Sequence, residues 1–334
     1  DVYKRQEIAR LSGVGVSTVS RVLNKRPDVN EDTRGRVMEV IERYGYEPNS
    51  NAKHLKQLST DCVAVIVRGR NNLFFSGILE LLQKRIEAAG LRFLAHYIDE
   101  NDDEAAAALR VYAERKVRGI IFMGGCHTDN GAMLSRLPIP CVYSTVNAAE
   151  GYAPNVSSVS VDDRQGAKKA IDYLFDCGHE NMVILSGETQ GCNMAHQRYL
   201  GVLDSFKEHG KTLESSRVLV SPFSFSCAYE RIKEYTGPDY TAIFAMSDTM
   251  AIGAARALMD SGKRVPEDVS VIGYDGIELA QYYHPALATM RQPQQELADR
   301  SVELLLESMD TDCAPKHIQL ETELIQGASV KHIS

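Results

Sequence analysis

Residues 13–24, GVGVSTVSRVLN, combine the types of side chain that could read the edges of DNA bases. A helix that enters the major groove presents the residues of its first turn to the bases, so small or hydrogen-bonding groups are needed there. Val16 and Ser17 fill this role. Arg21 follows about one turn later and could bind guanine through two hydrogen bonds, worth about 1–3 kcal/mol of discrimination.

The same segment carries groups suited to the DNA backbone. The hydroxyls of Thr18 and Ser20 and the amide of Asn24 could contact phosphates, which fix the position of a protein on DNA without reading its sequence. Spacing alone leaves an alternative open, because an ordinary helical hairpin with solvated serines and threonines would look alike.

Three helices are needed to position these side chains. Residues 7–13 and 16–23 read as two short helices joined by a glycine-containing turn, the arrangement of a helix-turn-helix unit. Residues 31–44 supply a third helix, with Asn30 as its N-cap. Gly45 is expected to end it. The predicted core consists of Ile8, Ala9, Val14, Val19 and Val22, with Val37, Val40, Ile41 and Tyr44 from the third helix.

Charge is distributed unevenly along the 334 residues. Residues 1–60 contain 11 Lys and Arg against 8 Asp and Glu, whereas the remainder contains 26 against 37, which gives −8 in total. A basic head on an acidic body suggests that the head meets a polyanion. The first six residues, DVYKRQ, fit poorly with the helical pattern that begins at Glu7 and are interpreted as a cloning or assembly scar.

Composition argues against several other classes of protein. No apolar run approaches the roughly 18 residues that span a membrane, and no secretory signal is recognisable. The seven cysteines are scattered without a C-x-x-C pair, which indicates a reducing cytoplasm and neither a metal site nor a cofactor. Residues 209–213, HGKTL, lack the first glycine of a phosphate-binding loop, so no enzyme is predicted.

From residue 61 onward, apolar runs alternate with amphipathic stretches. CVAVIV at 62–67 is typical of a strand buried on both faces. Two successive strand–helix series predict an α/β fold with two doubly wound parallel-sheet lobes after the helical head. The predicted divisions are a DNA-binding domain at 1–47, a hinge or linker at 48–60, a first lobe at 61–161 and 291–319, and a second lobe at 162–290 and 320–334.

The segment EIARLSGVGVSTVSRVLN closely resembles the DNA-binding signature of the LacI/GalR (lactose-repressor/galactose-repressor) family of bacterial transcriptional regulators. The resemblance continues through almost the whole chain, in NNLFFSGIL, SVDDRQGAKKAIDYLFDCGH, SDTMAIGAARAL and VPEDVSVIGYDGIELA. It implies a helix-turn-helix head and a body like the periplasmic sugar-binding proteins.

The resemblance also assigns roles along the chain. Lys53, His54 and Leu55 match the hinge helix that lies in the minor groove, and Leu55 matches the apolar wedge there, although it could instead be buried in a hinge dimer. Two departures weaken the head: Gly15 stands where the family has a serine cap, and Arg5 where it buries an aliphatic residue. The implied effector contacts are Phe74, Phe75, Thr145, Arg198, Phe223, Ser247 and Asp275.

Some of these effector positions have alternatives. Phe75 could belong to the core, Phe225 could line the site in place of Phe223, and Asp275 could merely cap a helix. As a whole, the resemblance implies a homodimer in the cytoplasm. It also implies a transcriptional regulator, more often a repressor, that binds a near-palindromic operator under the control of a sugar-like effector. A transport-type sugar receptor without DNA function is the alternative.

Overall fold

The computed structural model describes residues 5–23, 29–44, 61–69, 72–99, 102–125, 130–148, 151–190, 194–311 and 313–333. The chain forms two compact units, Asp1–Ser59 and Thr60–Ser334. Of the predicted site residues, Asn24, Lys53, His54 and Leu55 lie outside the described residues, as does Gly45.

The first unit contains the three predicted helices: α1 (Arg5–Leu11), α2 (Val16–Leu23) and α3 (Glu31–Arg43). The side chain of Asn30 accepts a hydrogen bond from the backbone N–H of Asp32 at 2.8 Å, so the predicted N-cap is confirmed. The predicted core is confirmed in its main members, since Ile8, Ala9, Val19, Val22 and Val37 are buried together with Val29. Val14, Val40 and Ile41 pack against them, and Tyr44 is the C-cap of α3.

The first lobe of the second unit is built on a six-stranded sheet. Its strands are β1 (Cys62–Arg68), β2 (Arg92–Ile98), β3 (Gly119–Met123), β4 (Cys141–Ser144), β5 (Val156–Val161) and β11 (His317–Leu320). Their order is β11-β5-β4-β3-β1-β2, and every neighbouring pair is parallel. The helices that connect and cover these strands are α4 (Leu73–Ala88), α5 (Glu104–Arg115), α6 (Gly131–Leu134) and α12 (Gln294–Asp310).

The second lobe repeats the plan. Its strands are β6 (Met182–Ser186), β7 (Val218–Val220), β8 (Ala242–Ala245), β9 (Ser270–Asp275), β10 (Ala288–Arg291) and β12 (Glu323–Ile325), in the order β12-β10-β9-β8-β6-β7. Only β12 runs antiparallel to its neighbour in this sheet. Its helices are α7 (Asp163–Asp176), α8 (Met194–Glu208), α9 (Phe225–Lys233), α10 (Asp248–Asp260) and α11 (Glu278–Tyr282), with a short 3-10 turn at Ser215–Arg217.

The predicted α/β architecture is therefore confirmed. The central strands are apolar and buried because helices cover both faces of each sheet. The chain passes between the lobes three times, after Val161, after Arg291 and after Leu320. Across the described residues, none of the helices is long and apolar enough to span a bilayer.

Candidate effector site and DNA-reading helix

A cleft of about 1380 Å³ lies between the two lobes. It opens at the carboxyl ends of the parallel strands, where open α/β sheets bind their ligands. Five of the seven predicted effector residues line this cleft, and they come from both lobes: Phe74 and Phe75 from the first, and Arg198, Phe223 and Asp275 from the second.

Arg198 is the most deeply buried of these residues, with 2% of its side chain exposed. Its Nε donates to Oδ1 of Asp163 at 2.8 Å, and its Nη1 donates to the carbonyl oxygen of Met246 at 2.5 Å. Nη1 also lies 3.6 Å from Oδ1 of Asp275, and the guanidinium covers the ring of Tyr274 with Cζ 3.7 Å from the centroid. Nη2 donates to none of the described residues, which leaves it available to a ligand.

Asp275 ends β9 in a left-handed conformation, with φ of 108°, and Gly276 continues the turn with φ of 69°. The carboxylate of Asp248 holds this turn by accepting the N–H of Ile277 at 2.8 Å. Asp275 Oδ1 accepts from Nε2 of Gln292 at 2.8 Å. Burial raises the pKa of Asp275 to about 7, although Arg198 and Gln292 lower it. Asp275 is thus not a helix cap but an acceptor held at the cleft surface.

Asp163 was not predicted from the sequence as a site residue. It is the first residue of α7, directly after the first passage between lobes, and burial raises its pKa although the Arg198 cation lowers it. Gln292 was missed too, and it follows the second passage. Asp162 and Asp163 follow an apolar strand, and this pair of acidic residues is the only sign of Asp163 in the sequence. The sign is ambiguous because Asp162 caps α7 by accepting the N–H of Gln165.

Aromatic rings form the apolar part of the cleft. The Phe74 and Phe75 rings lie 5.9 Å apart, and both side chains are buried in the first-lobe core as well as lining the cleft. Phe223 and Phe225 both line the opposite wall, so the alternatives named from the sequence coexist. Gly187 leaves room for the Phe223 ring on the second lobe, because a Cβ at this position would clash with that ring.

The first-lobe wall also contains a buried polar group that the sequence did not reveal. Arg68 lines the cleft, and its Nη2 donates to Oε2 of Glu104 at 3.1 Å. Glu104 is 1% exposed and accepts the hydroxyl of Tyr143 at 2.6 Å. Burial, followed by the Glu104 carboxylate, raises the pKa of Tyr143 far above its usual value, so this phenol stays a donor.

The structure does not bring the remaining two predicted residues to the cleft surface. Thr145 and Ser247 are both buried, and neither belongs to the described residues that line the cleft. Ser247 caps α10 by accepting the N–H of Met250 at 3.2 Å. Thr145 adopts a left-handed conformation with φ of 80° just after β4. Sequence position alone could not separate a residue at the surface of the cleft from one directly behind it.

In the head, α2 presents the predicted base-reading side chains to solvent. Val16 is 43% exposed, and Ser17 and Arg21 are exposed as well. Thr18 and Ser20 are half-buried, while Val19 and Val22 face the core. One face of this short helix therefore stabilises the head while the other is open to a partner.

Comparisons with known proteins agree with both units. Residues 6–49 match the family described as bacterial regulatory proteins, lacI family, and residues 171–330 match a periplasmic binding protein-like domain. The chain is 34% identical to the HTH-type transcriptional regulator MalR of Clostridium butyricum, over 98% of this chain and 99% of the relative. It is 32% identical to the HTH-type transcriptional repressor PurR of Vibrio vulnificus (strain CMCP6), over the same shares.

The chain belongs to the LacI family of bacterial regulatory proteins. Like the relatives just named, this LacI-family chain is a DNA-binding transcriptional regulator, and the alternative of a transport-type receptor is set aside. Among solved structures, a complex of the transcriptional regulator CelR with cellobiose superimposes with a TM-score of 0.71 at 28% identity, and the match covers 98% of this chain and 99% of that one.

Proposed function

We propose that this regulator is a homodimeric, cytoplasmic repressor whose affinity for a near-palindromic operator is controlled by a sugar bound between its lobes. It acts by binding and not by catalysis. The observation that carries the proposal is the Arg198–Asp275 pair, held side by side at the surface of an aromatic-lined cleft.

The chemistry of this pair suits a sugar. Asp275 offers carboxylate oxygens to hydroxyl donors, and Arg198 Nη2 offers a donor to a hydroxyl or ring oxygen. The rings of Phe74 and Phe223 provide apolar surfaces for the C–H faces of a pyranose or furanose. The cellobiose bound to the related CelR supports the same ligand class.

The exposed face of α2 is proposed to read the operator. Val16, Ser17 and Arg21 would contact base edges, and the hydroxyls of Thr18 and Ser20 would contact phosphates. Asn24, Lys53, His54 and Leu55 are proposed as further contacts, with Leu55 as the minor-groove wedge. Two heads of a dimer would then contact half-sites about 34–36 Å apart.

Control by the effector requires a link from the cleft to the arrangement of the lobes. Arg198 and Asp275 hold Asp163 and Gln292, which follow two of the three passages between lobes. A ligand that forms hydrogen bonds with Arg198 and Asp275 therefore acts directly on the segments about which the lobes move. Coupling of this kind typically changes affinity about 5- to 150-fold, and it is reciprocal.

A thermal-shift screen of mono- and disaccharides, repeated with Asp275→Asn, tests the effector site. At least one sugar should stabilise the native chain, and the variant should lose most of that stabilisation. Asp260→Asn is the matched control, since Asp260 is a partly exposed carboxylate paired with Arg256 on α10. Equal responses of both variants to the sugar would refute the site. Absence of DNA binding by the native chain would refute the regulatory function.

A further inference from the structure

Arg68 brings a second guanidinium to the cleft, and this one comes from the first lobe. It is the last residue of β1 and lines the cleft with 16% of its side chain exposed. Its Nη2 donates to Oε2 of Glu104 at 3.1 Å, and its Nη1 donates to the carbonyl oxygen of Asp102 at 3.0 Å. The sequence did not identify this arginine as an effector contact.

The carboxylate behind Arg68 is buried and is held from two sides. Glu104 accepts the hydroxyl of Tyr143 at 2.6 Å in addition to its bond from Arg68, and the tyrosine is itself fully buried. Gly125 leaves room for this contact, because a Cβ at that position would clash with the Glu104 carboxylate and the Tyr143 ring. A buried ion pair adds little to stability by itself. Its main consequence here is that the Arg68 guanidinium is held in one orientation at the cleft surface.

The second lobe contains the same combination of groups. Arg198 donates to Asp163 at 2.8 Å and lies against the ring of the buried Tyr274. Both carboxylates occupy the first position of a helix, Glu104 in α5 and Asp163 in α7, and the aspartate before each of them caps that helix. The helix dipole favours a carboxylate at this position. Each lobe therefore presents to the cleft an arginine that is backed by a buried carboxylate and a buried tyrosine.

We propose, on the basis of the effector function above, that Arg68 is a further effector-binding residue, which donates to the sugar from the first lobe while Arg198 donates from the second. A guanidinium carries five N–H groups in one plane, so one that bonds the cleft wall can also bond a ligand oxygen. The aromatic rings of the first lobe contact a sugar with little directional preference, whereas a hydrogen bond from Arg68 fixes its orientation. Glu104 and Tyr143 act through Arg68 as positioning residues.

Replacement of Arg68 by lysine isolates the contact with the sugar. Lysine keeps a positive charge beside Glu104, so the buried carboxylate retains a partner and the chain should still fold. Its single terminal nitrogen lacks the planar fork, however, and Glu104 should hold that nitrogen at the wall and away from the sugar. Loss of a hydrogen bond from a charged donor corresponds to a rise of about 10- to 100-fold in the dissociation constant.

The test is isothermal titration of the full chain with glucose, ribose, maltose and cellobiose. The sugar that binds the native chain most tightly should bind Arg68→Lys at least about fivefold more weakly. Arg85→Lys is the matched control and should bind it as the native chain does, because Arg85 pairs with Asp299 at 2.7 Å on the partly exposed side of α4. A loss smaller than about fivefold in Arg68→Lys overturns the inference and leaves the effector function standing. If none of these sugars binds the native chain, the proposed sugar effector itself fails.

A second variant tests the positioning role. Tyr143→Phe removes the hydroxyl that holds Glu104 and should weaken sugar binding about threefold, whereas Tyr112→Phe, on the half-buried face of α5, should leave it unchanged. Because Tyr143 acts through Arg68, the double variant should bind no more weakly than Arg68→Lys alone. Losses that add in the double variant would refute the positioning role. If Arg68→Lys does not fold, a Tyr143→Phe chain with native sugar affinity overturns the inference by itself.

Discussion

Replacement of Arg198 by methionine tests the electrostatic construction of the cleft without the need to know its ligand. Methionine retains much of the side-chain volume but removes the cation that lies against Asp163 and Asp275. Removal of one member of a buried ion pair destabilises a protein by about 3–5 kcal/mol, because the remaining charge is buried without a partner. For a chain of this size, that corresponds to a fall of about 6–10 °C in the melting temperature of the second unit.

The destabilisation caused by Arg198→Met should be larger at high pH than at low pH. Without Arg198, the pKa values of Asp163 and Asp275 in the folded protein rise further above those of the unfolded chain. An acid whose pKa is raised by folding destabilises the protein at high pH, and the destabilisation is relieved as pH falls through the folded-state pKa. The difference between native chain and variant should therefore be larger at about pH 8 than at about pH 5.5.

Differential scanning calorimetry at several pH values measures both the fall in melting temperature and its dependence on pH. Arg256→Met is the matched control, because Arg256 is exposed and pairs with Asp260 at the surface, where such pairs contribute about 0–1 kcal/mol. A fall of less than about 2 °C in Arg198→Met, or a fall that does not vary with pH, would refute the claim that this cation holds the two carboxylates.

Three further outcomes are expected. Sugar affinity should fall about tenfold from pH 8 to pH 6, because Asp275, with a pKa of about 7, accepts hydroxyl donors best when ionised, and titration calorimetry of Asp275→Asn should show no such dependence. Val37→Ala should destabilise the small core of the head by about 2 kcal/mol and weaken DNA binding in a gel-shift assay while sugar binding persists. Gly201→Ala should lower the melting temperature, since the added Cβ would clash with the carbonyl oxygen of Arg164. Gly35→Ala should instead stabilise the head by about 0.5–1 kcal/mol, because Gly35 lies within α3 with open space around it.

The fold could be predicted largely because its determinants are local. Apolar runs such as CVAVIV mark strands that helices cover on both faces, and the structure places β1, Cys62–Arg68, on that predicted run. The ends of the three helices of the head were predicted within two residues: the stretches 7–13, 16–23 and 31–44 correspond to Arg5–Leu11, Val16–Leu23 and Glu31–Arg43. The order of strands could not be read from these runs, because it depends on contacts between distant segments.

The cleft was predictable only in part for the same reason. Arg198 and Asp275 belong to recognisable motifs, but their partners Asp163 and Gln292 come from separate segments that meet only in the folded chain. Glu104 reads as an ordinary residue of the first helical turn, and its burial between Arg68 and Tyr143 emerges only from packing.

The most direct test of effector-controlled DNA binding is a DNA titration with and without the sugar identified in the screen. A near-palindromic duplex selected from randomised sequences would be labelled, and its binding to the full chain would be followed by fluorescence anisotropy at fixed salt. We expect a saturating sugar to change the dissociation constant at least about fivefold, and Asp275→Asn to abolish the change. A sugar that stabilises the protein yet leaves its affinity for this duplex unaltered would contradict control of the operator by the cleft.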